Sequence, residues 1–482
     1  MPTVTSGLGQ ISVAWTAVAG ADEYEVYYGT TSVPITLATT TAATLATITG
    51  LTNGTTYHVR LRAKNANGIS DYGPSSSILL NEHLSPGLYQ GNQRIGDQNL
   101  SAALTYIAAN AVDGDNYLIA IGADETIAPA TLNYSGRTVG ITLQGFDSER
   151  KISLSSNGRM FDIRDNVTLT LDENITLMGR DSNNNSLLLV NWYGGLIMNA
   201  GASITKNTST NQQGGGGVHV SSFGTFIMYG GTISENTART AGGVFNEGTF
   251  TMYGGTISGN TAEDRNDTSK GYGGGVVNRG ATFTMYGGTI IGNTAERNGG
   301  GVMEHYGNGT FTMYDGAINR NTAGGSGGGV YIDGVGNFFT MYGGTISGNT
   351  ASSSGGGVGM RQNSNPYTIF TMHGGTISGN TAGASGGGVS SVTSAWNTLG
   401  ILRKQPSDGE QTSGIIYGSD VDGVDEHGVL LRNTATNNTG HAVSRSGTLP
   451  STQRNTTAGP TDHIDSTTDM GLSVNGEPPF EQ

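Results

Sequence analysis

One stretch, GTFTMYGGTISGNTA at residues 248–262, returns five more times in near copies and limits what this chain can fold into more than any other feature. The copies align on the methionine before a glycine pair: Met228, Met252, Met285, Met313, Met341 and Met372, spaced 24, 33, 28, 28 and 31 residues apart. Self-similarity at such a period is the signature of a solenoid. Within each copy the order is constant: a Phe-x-Met run, a Gly-Gly break, an Ile-x-x-Asn-Thr run, a second glycine cluster and a valine. Apolar residues alternate with period two, which is strand and not helix. The expectation is three short strands per coil, with successive coils hydrogen-bonded in parallel at about 4.8 Å. A leucine-rich repeat is excluded, because neither its Leu-x-x-Leu-x-Leu pattern nor a helical segment occurs within the period.

This periodicity decides how composition is read. Eighty glycines and only 12% charged residues would suit a disordered chain, but here the glycines keep fixed offsets from Phe, Met, Ile and Val. The net charge of −14, with 23 scattered Lys and Arg, argues against a nucleic-acid partner, which needs a basic stripe. There is no cysteine, so disulfides, thiol chemistry and Cys-based zinc sites are excluded. No run of apolar residues is long enough to predict a membrane span. The start, MPTVTSGLGQ, has neither a charged n-region nor an apolar h-region, so an exported form would be a trimmed one, with signal or anchor segment absent.

Residues 1–82 read as a separate β-sandwich. Alternating strands at Ile11–Trp15, Tyr24–Tyr28 and Tyr57–Ala63 are separated by Asn-Gly turn signals at 53–54 and 67–68. With its early Trp15, the Leu51–Val59 segment carrying a tyrosine corner at Tyr57, and the closing Ala63-Lys-Asn65 and Gly68, this unit resembles a fibronectin type III domain. The resemblance implies a spacer or binding module. Residues 83–116 are expected to hold a linker and a helix, with Leu100, Ala103, Leu104, Ile107 and Ala108 on one face behind an Asp or Ser cap. Such a helix would close the open end of the solenoid. Residues 117–449 then form the β-helix: irregular coils to about 208, regular repeats over about 214–389, and a weaker resumption in Gly414–Ser419, Leu430–Ala435 and Gly440–Val443, with 391–413 a long loop or an imperfect coil. Residues 450–482 read as a terminal cap or tail. The fold class is thus all-β: a sandwich followed by a right-handed parallel β-helix with an N-terminal capping helix.

MYGGTISGNTA with its GGGV partner resembles the glycine-rich β-helix repeats of spirochaete surface proteins, Treponema among them. It is more distantly similar to chlamydial polymorphic outer-membrane repeats, from which it departs in having Gly-Gly-Thr-Ile and an Ile in place of the motif's Phe. The resemblance spans roughly 97–470 and implies an extracellular or cell-surface location more than an activity.

Four sets of residues are candidates for function or for fold. An asparagine three residues after each Ile, at Asn207, Asn236, Asn260, Asn293, Asn321, Asn349 and Asn380, predicts a structural amide ladder in a tight turn, with left-handed φ and bonds to its own backbone. Three residues past each valine stand Glu247, Arg279, His305, Asp333 and Arg361, predicted to stack as a mostly alternating charge column. One residue past it stand His219, Phe245, Val277, Met303 and Tyr331, also expected to face outward; together these make a candidate binding strip, or ladder pairs that hold register. An aromatic column, Tyr229, Tyr253, Tyr286, Tyr314 and Tyr342 followed by His373, could take sugar rings or shield the Gly-Gly turn. Catalysis is an alternative because β-helices host polysaccharide lyases and hydrolases. Neither clustered carboxylates for calcium nor close Asp pairs are readable, so the expectation is no catalytic residue, no metal and no cofactor. The expected function is a non-catalytic adhesin or rigid stalk, with glycans or surface proteins as partners. A polysaccharide-binding or -cleaving β-helix and a self-assembling scaffold are the alternatives, with oligomeric state left open.

Overall fold

The computed structural model describes residues 2–404 apart from 8–9, 53–54, 67, 81–85, 92, 211–213, 264–270, 363–367 and 394–400, and beyond these the strands at 415–416, 434–435 and 443–446. The proposed tail at 450–482 lies outside the described residues. The chain divides into two compact units, Met1–Pro86 and Gly87–Gln482.

The first unit is an antiparallel sandwich. One sheet holds Thr3–Gly7, Gln10–Ala14 and Leu45–Thr49; the other centres on Glu23–Gly29 and Thr56–Asn65. Alternation puts Ile11, Val13, Val26, Ile48, Val59 and Leu80 into a shared core, each 4% exposed or less. The Tyr57 hydroxyl accepts from the Thr52 amide at 3.0 Å, which is the tyrosine corner that the sequence suggests.

The second unit is a parallel β-solenoid of about 9 turns. From Thr208 onward each coil has four strands, one more than expected, because the Asn-Thr-Ala segment adds a two-residue strand of its own. In one coil these are Thr249–Met252, Thr256–Ser258, Thr261–Ala262 and Val276–Arg279; stacking them gives sheets I to IV in that order. Register is like on like: Phe250 opposite Phe283, Ile257 opposite Ile290, Ala262 opposite Ala295 and Val244 opposite Val276. A one-residue slip would turn every core side chain to solvent, so the pattern enforces register.

Inside, Phe226, Phe250, Phe283, Phe311, Phe339 and Phe370 are fully buried, with successive rings 4.6–4.8 Å apart and within 11° of parallel. Each such ring contributes about 1.5–3 kcal/mol of apolar burial. The asparagines form a continuous buried ladder. Each Asn Oδ1 from Asn260 to Asn349 accepts from both the amide N–H and the Nδ2 of the asparagine one coil earlier, at 2.9–3.1 Å. Two details differ from expectation. The side chains bond to neighbouring coils and not to their own backbone, and the left-handed residue is the one before the asparagine: Lys206, Glu235, Gly259, Gly292, Arg320, Gly348 and Gly379. Placing the strain one residue earlier frees the asparagine to point inward, where its amide is worth most.

The open end is closed by α1, Leu100–Asn110, which buries Leu100, Ala103 and Ile107; Ala108 is exposed. Its cap is Asn99, not the expected Asp or Ser, with Oδ1 accepting from the Ala102 amide at 2.9 Å, while the Glu125 carboxylate accepts from the Leu100 amide. A hairpin that the sequence reading missed, Gly87–Gln90 with Gln93–Gly96, pairs antiparallel with Asp115–Ile121 and covers the first edge of sheet I. Past Val389 the sheets continue: Ile401–Lys404, Ile415–Ile416, Thr434–Ala435 and Val443–Ser446 pair onto the preceding coil, so 391–413 contributes strand to an imperfect coil.

Candidate functional site

The polypeptide turns from sheet IV into sheet I between each valine strand and the next Phe, and this edge carries the charge column. The register places Arg279 opposite His305, His305 opposite Asp333 and Asp333 opposite Arg361. Glu247 is held on both oxygens, by Arg279 at 3.0 Å and by His219 at 3.1 Å. Burial pushes the Glu247 carboxyl up, but the His219 hydrogen bond and the charge of Arg279 outweigh it and keep it below its ordinary value. The Arg279 guanidinium also lies over the Tyr306 ring, 4.4 Å from its centre, and His305 meets the same ring edge-on at 4.3 Å. Much of the column therefore satisfies itself, as register-holding ladder pairs do.

The neighbouring column does not reach solvent as expected. Phe245 and Tyr331 are 2% and 6% exposed, and with Val277 and Met303 they form a separate small core against Ala241 and Tyr272. Alternation does point them away from the main core. The glycine cluster before each valine folds back over them, so that a Cβ on Gly299 would lie 2.9 Å from the Met303 Cβ and one on Gly327 2.5 Å from that of Tyr331. Phe245 and Tyr331 are thus structural in position. Burial raises the Tyr331 phenol well above its usual range.

Between those two outward positions lies an inward one that the sequence reading passed over: Asn246, Asn278 and Glu304, all fully buried. Asn246 Nδ2 donates to Asn278 Oδ1 at 2.6 Å, and Asn278 Nδ2 donates to the Glu304 carboxyl at 2.9 Å. Burial raises the Glu304 pKa well above its ordinary value, and the carboxyl is fully enclosed. Ile332 and Met360 take the same position in the next coils and end the polar column.

The aromatic column runs along the opposite edge of sheet I, where the strand breaks at Gly-Gly. Tyr229, Tyr253, Tyr286, Tyr314 and Tyr342 stack with ring centres 4.8–5.2 Å apart and His373 continues the file at 4.6 Å. The tyrosines are 44–54% exposed. The second glycine of each pair, such as Gly255 at φ 86°, takes the left-handed turn that lets the chain leave the ring behind on the surface.

A further aromatic group sits on the sheet IV to sheet I edge in the early coils. Trp192, Tyr193 and Phe223 are 56%, 61% and 62% exposed; Phe223 stacks on Tyr193 at 5.6 Å and meets Trp192 edge-on at 5.8 Å. Sequence reading missed it because Trp192 and Tyr193 precede the regular repeats and Phe223 stands in the variable stretch between Val218 and Phe226. The available signal was NWYG and SSFG, large rings in turns where small polar residues are usual. Among the described residues no helix is long and apolar enough to cross a membrane, and no group of three or more His, Asp or Glu is placed to hold a metal ion.

Residues 4–78 match the fibronectin type III domain family. No curated protein matches the chain. Among solved structures, the sixth fibronectin type III domain of human fibronectin type III domain containing protein 3 is 20% identical, covering 18% of this chain and 86% of that one with a TM-score of 0.17. The chain is a fibronectin type III domain followed by a parallel β-solenoid of about 9 turns.

Proposed function

We propose that the chain is a non-catalytic binding protein of the cell surface or extracellular space, a rigid stalk or adhesin that engages glycans through its exposed aromatic edge. The observation that carries this reading is the tyrosine file. Six stacked rings, five of them tyrosines about half exposed, form a regular ribbon whose rings are locked by their neighbours, so little side-chain entropy is lost on contact. A repeating ribbon fits a repeating ligand, and each added ring raises the effective concentration for the next. The acidic groups support binding over cleavage: Glu247 is engaged on both oxygens and Glu304 is enclosed. The likeness of the repeat to spirochaete surface repeats favours display outside the cell. Co-sedimentation with insoluble polysaccharides tests the reading. The intact chain should be retained, and Tyr253→Ala/Tyr286→Ala/Tyr314→Ala should be released, with no new reducing ends in either sample. Retention unaffected by the triple substitution removes the ribbon from the binding surface, and release of reducing ends would make the chain a hydrolase or lyase.

A further inference from the structure

We propose that Trp192, Tyr193 and Phe223 form a second, compact site that takes the apolar face of one or two pyranose rings, separate from the tyrosine file. Three successive turns make the argument. They close with hydrogen bonds from Val167 to Arg164, Gly194 to Asn191 and Gly224 to Ser221, at 2.9–3.0 Å. Their third residues, Asn166, Tyr193 and Phe223, all have left-handed φ, of 66°, 56° and 63°. The turn asks for Gly or Asn there, as Asn166 supplies; a bulky ring is an expensive substitute. Backbone strain held at an exposed position gathers where a surface has work to do.

The surroundings fit a sugar. The first positions of the same turns, Arg164, Asn191 and Ser221, are partly exposed hydrogen-bonding residues in file beside the rings, and Ser222 is exposed. Asn191 and Arg164 are both anchored on the nearly buried Asp162, at 3.3 and 2.5 Å, which orients their remaining donors and acceptors. Rings offer a platform to C–H faces while amide, guanidinium and hydroxyl groups meet ring hydroxyls. The rings by themselves match a sugar in size. Three rings a little over half exposed present roughly 300–450 Å², short of the ~800 Å² per partner of a stable protein interface.

Trp192 is its own reporter. The chain has three tryptophans, so the full-length Trp15→Phe/Trp396→Phe variant leaves Trp192 alone. Titration of that variant with cellohexaose, chitohexaose or xylohexaose should give a saturable shift of tryptophan emission with at least one of them. Phe223→Ala should weaken it about tenfold or more, the scale of losing ring contacts, and Phe223→Tyr should restore it. Tyr253→Ala/Tyr286→Ala should leave it unchanged. No saturable response to any of the three sugars overturns the proposal, as does a response insensitive to Phe223→Ala or abolished by the tyrosine-file variant. It is also overturned if sedimentation shows an oligomer that Trp192→Ala/Phe223→Ala dissolves, which would make the rings a self-association surface.

Discussion

Each coil has a constant half, from Phe through Gly-Gly to Asn-Thr-Ala, and a variable half between the valine and the next Phe. The constant half stacks identical residues at its inward positions, so each buried asparagine meets its own kind one coil away. The buried asparagines from Asn260 to Asn380 repeat one bonding pattern at 2.9–3.1 Å. The variable half stacks unlike residues: Asn246 on Asn278 on Glu304 and then Ile332, with Glu247, Arg279, His305 and Asp333 outside. Repetition gives stability at little cost in specificity, whereas variation leaves misfits, such as a carboxyl enclosed where burial disfavours its charge.

Phe311→Ala strikes the constant half hardest. Removing a fully buried ring between two stacked neighbours should cost about 3–5 kcal/mol in urea unfolding, with the void too enclosed to collapse. Asn293→Ala should follow at about 2–3 kcal/mol, because it takes the acceptor from two buried Asn260 donors and removes the Nδ2 donor from the Ile257 carbonyl and from Asn321 Oδ1, which keeps the Asn293 backbone N–H. A cost near zero would mean that the ladder is not a continuous bonded column.

The variable half should respond in the opposite sense. Glu304 has its folded pKa raised by burial, so its ionisation favours the unfolded chain above about pH 4.3. The penalty is absent below that pH, grows as pH rises and levels off above the folded pKa. Glu304→Gln should therefore match the wild type in thermal melting at low pH and exceed it increasingly toward neutrality. A constant difference across pH would contradict a neutral buried acid.

Smallest are the surface rings, and they divide the two halves most cleanly. Tyr286→Ala removes two stacking contacts and should lose about 0.5–1.5 kcal/mol. Phe223→Asn also removes two ring contacts but relieves a left-handed turn residue, so the two effects offset and the net change should stay within about 0.5 kcal/mol of zero. Equal losses at both positions would erase the distinction drawn between the edges.

The solenoid was legible because its signal is periodic: Phe, Met, Ile, Val and Asn recur at fixed offsets, and inward burial follows from alternation alone. The Asn-Thr-Ala strand went uncounted because two residues carry no alternation. Phe245 and Tyr331 were placed outward by the same alternation that placed Val244 and Val330 inward; what reversed their exposure was a left-handed residue four positions earlier, Ala241 before Phe245 and Gly327 before Tyr331, that folds the preceding loop over them, a tertiary effect with no local signature. Asn246, Asn278 and Glu304 could have been read, since the position between two outward ones must face inward. Trp192 and Tyr193 lie in a coil without the repeat, and Phe223 lies in the variable stretch between Val218 and Phe226, so no period marked any of them. Only the cost of rings in such turns could have done so.

Incubation of the intact chain on a glycan array, with reducing ends assayed in the same solution, tests the central claim most directly. The account predicts retention on a set of extended glycans with no release of reducing ends or unsaturated sugars. Absence of binding to every glycan, or turnover of any, would contradict it.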